Sequence, residues 1–303
     1  MKAASSHIRV HRYKPLIEHL PDTPGVYLMY ASTGQLLYVG KSKTIRSRVR
    51  AHFTAPEERG MCRQVQRVEA RETAGELGAL LLESELIKQL KPMYNRALRK
   101  TRRLIVARKV VTPQGYFRVA LEAISTMEAV TAEGRSAKGE REILGLFRTR
   151  TQAFEYLAAA AKSHRLCLAL LGLERTKRHC FGYHLHRCDG ACMGEEAPGR
   201  YNARLERAFE QRRIQAWPFD GAVLIEETNG TTSETFIVDQ WCMLYSFTHT
   251  HGEFALRVKG SHYFDFDAYK ILAGYIFDEA HAQSIRHIPR SELVTLLRKL
   301  KAA

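Results

Sequence analysis

No stretch of this 303-residue chain approaches the roughly 18 consecutive apolar residues that a membrane-spanning helix needs. The opening Met1-Lys2-Ala3-Ala4 lacks the apolar core of a secretory leader, so a cytoplasmic protein is expected. Cysteine is sparse, with six in the whole chain, and in a reducing compartment they are not expected to be stapled as disulfides. Acidic residues are also short: 32 Asp and Glu face 47 Lys and Arg, a formal charge of +15. An excess of that size points to a polyanionic partner, most simply nucleic acid, with a surface kept basic for solubility as the plainer alternative. Internal repeats and low-complexity tracts are missing, and a hydrophobic content of 45% excludes a disordered chain.

What is present divides into four stretches. Residues 1 to about 16 read as a loose polar arm. Alternation through Val26, Leu28 and Tyr30, a break at Ala31-Ser32-Thr33-Gly34 and the run Leu36-Leu37-Tyr38-Val39 predict a β-hairpin. Ile45, Val49 and Phe53 recur at helical spacing, a strand is expected over Arg67 to Glu72, and a helix follows from the capping-box spacing Thr73-Ala74-Gly75-Glu76 to the stop at Pro92. These elements make a first domain over residues 17–97. A basic hairpin connector is expected over 98–150, its strip Arg96, Arg99, Lys100, Arg102 and Arg103 being either a solvated linker or a phosphate-contacting surface. A helical cysteine domain follows over 151–215, with the helical pattern taken to begin near 141. A β-rich domain of unknown role occupies 216–303, its hairpin turning at Asn229-Gly230. The fold class is therefore α+β: a small, mostly antiparallel sheet flanked by helices, a helical four-cysteine segment and a small β-rich C-terminal domain.

Chemistry concentrates in the first domain. Hydrolysing a phosphodiester requires a group to orient or deprotonate water, positive charge on the phosphoryl oxygens, and help for the departing oxygen. A divalent metal held by a carboxylate can give the last. Stepping about 100° per residue along the helix puts Leu80, Leu82, Leu86, Ile87 and Leu90 on one arc with Glu83 near its middle, where a carboxylate is costly unless paired with an arginine or bound to a metal. Arg48 lies one turn from His52 beside the Ile45-Val49 seam. The hairpin is expected to bring Tyr27 roughly opposite Tyr38, so that two hydroxyls and the Lys41 ammonium share one surface. Ordinary strand packing is the alternative for the tyrosines.

Cys167, Cys180, Cys188 and Cys192 give the pattern C-x12-C-x7-C-x3-C. Four thiolates so grouped suit a tetrahedral zinc or a [4Fe-4S] cluster, or are unligated buried thiols. His179, His184 and His186 lie near enough in sequence to compete as ligands. Cys62 and Cys242 read as small core residues.

Gly25-Val26-Tyr27 with Tyr38-Val39-Gly40 resembles the signature of the GIY-YIG nucleases, and Lys41, Arg48, Glu83 and Asn95 stand where the UvrC-type DNA repair nucleases of that family carry Lys, Arg, Glu and Asn. The resemblance implies that Glu83 holds a single Mg²⁺ or Mn²⁺, that Arg48 clamps the scissile phosphate, that Tyr27, Tyr38 and Lys41 prepare the water, and that Asn95 supports the site. His52 departs from the family, which usually has a tyrosine there; an imidazole can accept a proton near neutral pH. The segment around Cys180-Phe181-Gly182-Tyr183, Arg187-Cys188 and Ala191-Cys192 resembles the UvrC cysteine segment, which implies an iron-sulfur cluster of structural role, with zinc second. Phe264 to Leu272 resembles the tail of short UvrC homologues. The function implied is a metal-dependent endonuclease that makes the 3′-side incision at lesions in damaged duplex DNA presented by UvrB. A stand-alone GIY-YIG endonuclease and a non-catalytic repair adaptor are the alternatives. Asp265 and Asp267 are read as a surface turn rather than a second metal site.

Overall fold

The structure, a computed structural model, describes residues 13–95, 104–124, 142–289 and 291–295, apart from 177, 214, 216, 231, 251–252 and 260–263. The basic strip from Arg96 to Arg103 lies outside the described residues, as do residues 1–12 of the expected arm; residues 13–17 form a helical turn rather than a loose strand of chain. The chain separates into two compact units, one made of Met1–Thr101 with Phe219–Ala303 and the other of Arg102–Pro218.

In the first unit, β1 (Gly25–Ala31) is the middle strand of an antiparallel sheet, with β2 (Leu36–Ser42) on one side and β3 (Val65–Glu72) on the other. Alternation gives this sheet two apolar faces. Tyr27, Met29 and Leu37 pack with Ile45, Val49 and Phe53 of α1 (Ile45–Thr54), followed by the short α2 (Arg59–Cys62). Val26, Leu28 and Val39 pack on the other face with Leu86 and Ile87 of α3 (Glu76–Leu90). Two glycines are required by close approach. A Cβ on Gly25 would stand 2.3 Å from the Arg71 carbonyl oxygen, and one on Gly40 would stand 2.3 Å from the Tyr27 hydroxyl, so the second glycine makes room for the phenol.

The helix α3 differs from the expectation at three points. Its N-cap is Gly75, not Thr73, whose hydroxyl donates to the Gly75 carbonyl instead. Leu90 is 45% exposed, while Leu77, Gly78, Leu81 and Ser84 are buried. A second body covers that side of the helix, and a single-face reading of the pattern could not anticipate it. That body is a five-stranded antiparallel sheet in the order β10-β9-β8-β7-β11, made of β7 (Ala222–Thr228), β8 (Thr232–Asp239), β9 (Cys242–Thr250), β10 (Glu253–Lys259) and β11 (Ile285–Ile288), with α7 (Phe266–Ile276) packed against both β9 and α3.

The second unit holds a sheet in the order β5-β4-β6: β4 (Leu104–Val111), β5 (Phe117–Ile124) and β6 (Ile143–Phe147). Residues 143–147 therefore form a strand where a helix was expected. The five-residue run Ile-Leu-Gly-Leu-Phe is almost wholly buried against β4, and such a run does not distinguish strand from helix by its period. The helix begins only at Arg150, capped by the Thr149 hydroxyl accepting from the Gln152 amide at 3.1 Å. This α4 (Arg150–His164) and α6 (Pro198–Phe209) bury Leu157, Tyr201, Leu205 and Phe209 with Leu144 and Phe147; between the helices lies the cysteine segment with its short α5 (Phe181–His184).

Candidate active site

Tyr27 is buried at the centre of the first sheet, and its hydroxyl has a partner: the Nε2 of His52, one face across on α1, at 2.6 Å. The Nδ1 of His52 is in turn bonded to the carboxylate of Glu58. Glu58, acceptor only when ionised, fixes the proton on Nδ1, which leaves the Nε2 lone pair to accept from the phenol. His52 is itself buried, and that burial lowers its pKa below the ordinary histidine value, against the opposing pull of Glu58. The imidazole is therefore neutral at pH 7. Burial likewise pushes the Tyr27 hydroxyl well above its usual range, with the neighbouring Tyr38 adding to the shift and Arg48 opposing it.

The two tyrosines share a face but not a rung. Tyr27 is opposite Gly40, and Tyr38 is opposite Met29, so the rings meet diagonally with centroids 6.1 Å apart. His52 sits edge-on to both, at 5.4 and 5.3 Å. The pairing shifts register between Met29 and Tyr30, so Tyr27 meets Gly40, two residues beyond Tyr38, which explains the offset. Tyr38 is half-buried, and desolvation, then the charges of Glu83 and Glu58, raise its pKa. Arg48 is exposed at the edge of this group, and its pKa is raised by Tyr27 first and then by Tyr38, with desolvation opposing.

Lys41 does not add its ammonium to the tyrosine surface. It is opposite Val26, on the α3 face of the sheet, where its Nζ bonds to Glu76 at 2.8 Å. Its backbone N–H is what reaches the site, donating to Glu83 Oε1 at 3.0 Å. Glu83 is half-buried; desolvation raises its pKa, and the Lys41 amide and ammonium only partly offset that. Among the described residues no arginine neutralises it and no hydrogen bond reaches Oε2. A carboxylate left under-compensated in this way, with one free oxygen, has the chemistry of a ligand for a hard divalent cation completed by waters. Asn95 does not point at the tyrosines. Its side chain pairs with the free edge of β2 as another strand would, Oδ1 accepting the Val39 N–H at 2.9 Å and Nδ2 donating to the Val39 carbonyl at 2.7 Å. It thus anchors the strand on which Tyr38 and Gly40 stand.

Two carboxylates went unforeseen. Glu58 orients His52 from six residues away, a separation with no helical or strand period to flag it. Glu76 takes both Lys41 and Lys43, the latter at 2.6 Å.

In the second unit the Sγ atoms of Cys167, Cys180, Cys188 and Cys192 all lie within 4.8 Å of one another, the first three residues buried. A hydrogen bond from Cys167, backed by the Gly190 N–H, the Cys180 thiol and the Ala191 N–H, pulls the Cys188 thiol below its usual range against its burial. This group can bind a metal. The neighbouring histidines stay out of it: His179 and His184 bond to each other, Nε2 to Nε2 at 2.6 Å, and His186 is exposed. Cys62 and Cys242 are buried apart from it and apart from each other, with thiols raised to about 11 by desolvation, as core residues.

Comparison with known proteins accounts for the three parts of the chain in order. A model of the UvrC-like GIY-YIG domain matches residues 23–96, one of the UvrC/Cho excinuclease middle domain matches 116–211, and one of the excinuclease Cho C-terminal domain matches 222–292. The chain is 35% identical over 274 residues to the Excinuclease cho of Salmonella typhi, an alignment taking in 89% of each protein. The chain belongs to the excinuclease Cho family. Similarity to the UvrABC system protein C of Psychrobacter cryohalolentis is 32% over 245 residues, covering 77% of this chain and 38% of that protein. A crystal structure of the GIY-YIG N-terminal endonuclease domain of UvrC from Thermotoga maritima, bound to its catalytic divalent cation, magnesium, is 27% identical and covers 31% of this chain and 99% of that one, with a TM-score of 0.25. As a Cho-family excinuclease, this chain is a phosphodiester-hydrolysing endonuclease of nucleotide excision repair, and its substrate is DNA. No helix among the described residues is long and apolar enough to cross a membrane.

Proposed function

We propose that this nuclease makes the incision on the 3′ side of a lesion in duplex DNA, that UvrB presents the lesion, and that the cut is made in the cytoplasm by a single site centred on Tyr27, Arg48 and Glu83. The observation that carries this reading is the hydrogen-bonded series Tyr27, His52, Glu58 lying on the same surface as Arg48 and within electrostatic reach of Glu83. In it, water attacks phosphorus while giving its proton to the Tyr27 oxygen, and Tyr27 passes its own to His52 Nε2, so the buried phenol need not ionise as a separate step. Arg48 balances the charge that grows on the phosphoryl oxygens. The P–O3′ bond breaks and the departing oxygen takes a proton from solvent, leaving a 3′-hydroxyl and a 5′-phosphate. Glu83 would hold Mg²⁺ or Mn²⁺, which when bound neutralises phosphoryl charge and stabilises the departing oxygen. Tyr38 lines the attacking side, Lys41 supports Glu83 through its amide, and Asn95 sets the strand.

The four cysteines are assigned a structural [4Fe-4S] cluster, supported by an all-thiolate donor set and the family resemblance; zinc is the competing occupant. One tetrahedral ion fits the sulfurs as they stand, whereas a four-iron cube requires them to spread. Iron and acid-labile sulfide in the anaerobically purified protein support the cluster, and stoichiometric zinc without iron overturns it.

The functional test is incision of a lesion-bearing duplex by wild type and Glu83→Ala, each with and without UvrB. The proposal expects one nick 3′ to the lesion, dependent on UvrB and absent from the variant. Cutting of undamaged DNA without a partner would instead mark a stand-alone endonuclease, and no cutting under any condition would mark an adaptor.

A further inference from the structure

The helix that carries Glu83 is gripped at both ends by the C-terminal domain, whose role nothing above has assigned. At the N-terminus of α3 the first-turn amides have no cap from the helix's own flank. The Glu227 side chain, reaching from β7 150 residues along the chain, takes their place: Oε1 accepts the Leu77 N–H at 2.9 Å and Oε2 accepts the Gly78 N–H at 2.8 Å. A carboxylate there also meets the positive end of the helix dipole. Two glycines admit the approach. A Cβ on Gly75 would lie 2.3 Å from the Glu227 carboxyl carbon, and one on Gly78 would lie 2.5 Å from Glu234 Oε2. Toward the other end, Lys88 bonds to Asp265 and to Asp267, the latter at 3.3 Å. Asp265 also caps α7, accepting from the Asp267 and Ala268 amides at 2.9 Å each. These two aspartates are therefore a fastening and not merely a surface turn. Glu83 is midway, five residues from Gly78 and five from Lys88.

We propose that the β7–β11 domain is a clamp that fixes the axial and rotational position of α3, and that Glu227 is thereby a positioning residue for the nuclease reaction. The inference rests on the reading of Glu83 given under the proposed function. Fastening a helix at both ends holds the carboxylate between them against slippage along and around the helix axis, the two motions that would carry its oxygens away from the tyrosine surface. Reacting groups misplaced by about 1 Å lose rate steeply, which is why a remote grip on a catalytic helix registers in turnover. The placement of residues 1–101 and 219–303 in one compact unit, with the cysteine-bearing stretch as a separate one, agrees with this role.

The test uses the full-length protein nicking a lesion duplex with UvrB, reading kcat, KM for DNA, the Mg²⁺ concentration giving half-maximal rate, and hydrogen exchange at the Leu77 and Gly78 amides. Glu227→Gln keeps the shape but replaces one acceptor oxygen with an amide that cannot accept. It is expected to lower kcat about tenfold and raise the half-saturating Mg²⁺, with KM for DNA unchanged and faster exchange at the two amides. Glu227→Asp should recover part of the rate. Lys88→Ala loosens the opposite grip and should move kcat and the Mg²⁺ requirement in the same direction, so it carries the test if the first variant fails to fold. Unchanged kcat and Mg²⁺ dependence in the folded variants overturns the clamp, as does a lower Tm with full turnover by the folded fraction. Glu83→Ala separates the two readings: if it is inactive while Glu227→Gln and Lys88→Ala are normal, only the clamp falls, and if it nicks normally the assignment of the site falls as well.

Discussion

The nuclease site and the four-cysteine site are built on opposite principles. In the first, the polar groups are already tied to one another: Tyr27 to His52, His52 to Glu58, Lys41 to Glu83 and Glu76, Asn95 to Val39. A cation arriving there meets groups already held in place, with only the second Glu83 oxygen open to it among the described residues. In the second, four sulfurs lie within 4.8 Å of one another, and their ionisation would set like charges together unless a cation joins them. Such a group can be completed by a metal. Loss of metal from the first should therefore cost rate and leave the fold, whereas loss from the second should cost the fold of its unit and leave the chemistry.

The sharpest way to break this contrast is at the cysteines. Cys188→Ser is expected to lose the bound metal and with it several kcal/mol of stability in the second unit, given that structural thiolate sites contribute on the order of 10 kcal/mol. Metal analysis and the melting transition of that unit check it, and a metal-free protein with an unchanged Tm would erase the contrast. Next in size is Glu83→Ala. Nicking should fall by about 10³-fold, roughly 4 kcal/mol of barrier, while DNA affinity stays near wild type and Tm is little changed.

A smaller effect is expected at His52. Glutamine there should lower kcat about 10²-fold, the usual scale for one proton-transfer group. The pH profile gives the sign. Since burial holds the folded pKa of His52 below the ordinary 6.5, the site stays active as pH falls through 6.5 and loses activity only below the depressed value; the acid limb belonging to His52 should vanish in the glutamine variant. Stability follows the same linkage. Between the unfolded value and the lower folded one, the unfolded chain binds the extra proton, so the His52 contribution to stability declines as pH falls across that window. An acid limb above 6.5 that persists in the variant would assign the proton elsewhere. The smallest effect is Asn95→Ala, which removes both bonds to Val39 from an edge strand and should cost about 1–2 kcal/mol of stability with a modest fall in kcat. A loss as large as that of Glu83→Ala would mean that Asn95 touches the reacting groups.

Much of this was open to reading from the residues because it depends on short-range pattern. Gly25, Tyr27, Tyr38 and Gly40 lie on one hairpin, and the close contact beneath Gly40 is a consequence of strand pairing. The four cysteines are grouped within one segment. What escaped depends on partners distant in sequence. The direction of the Lys41 side chain is set by its opposition to Val26 and by Glu76, and the diagonal between Tyr27 and Tyr38 by the register shift between Met29 and Tyr30. Glu58 and Glu227 carry no periodicity that relates them to His52 or to α3. The apolar arc of α3 predicts Leu90 inside, yet Leu90 is exposed and Ser84 buried, because the C-terminal domain buries a second side of that helix. Residues 143–147 form a strand against the helical expectation for a related reason: a strand covered on both faces has no alternation to show.

Diffraction from crystals soaked in Mn²⁺, read by its anomalous signal, tests the central claim most directly. The account predicts a peak at coordination distance from a Glu83 carboxylate oxygen, on the surface shared by Tyr27 and Arg48. A Mn²⁺ peak elsewhere in the first domain, with Glu83 making no contact to it, would contradict the account.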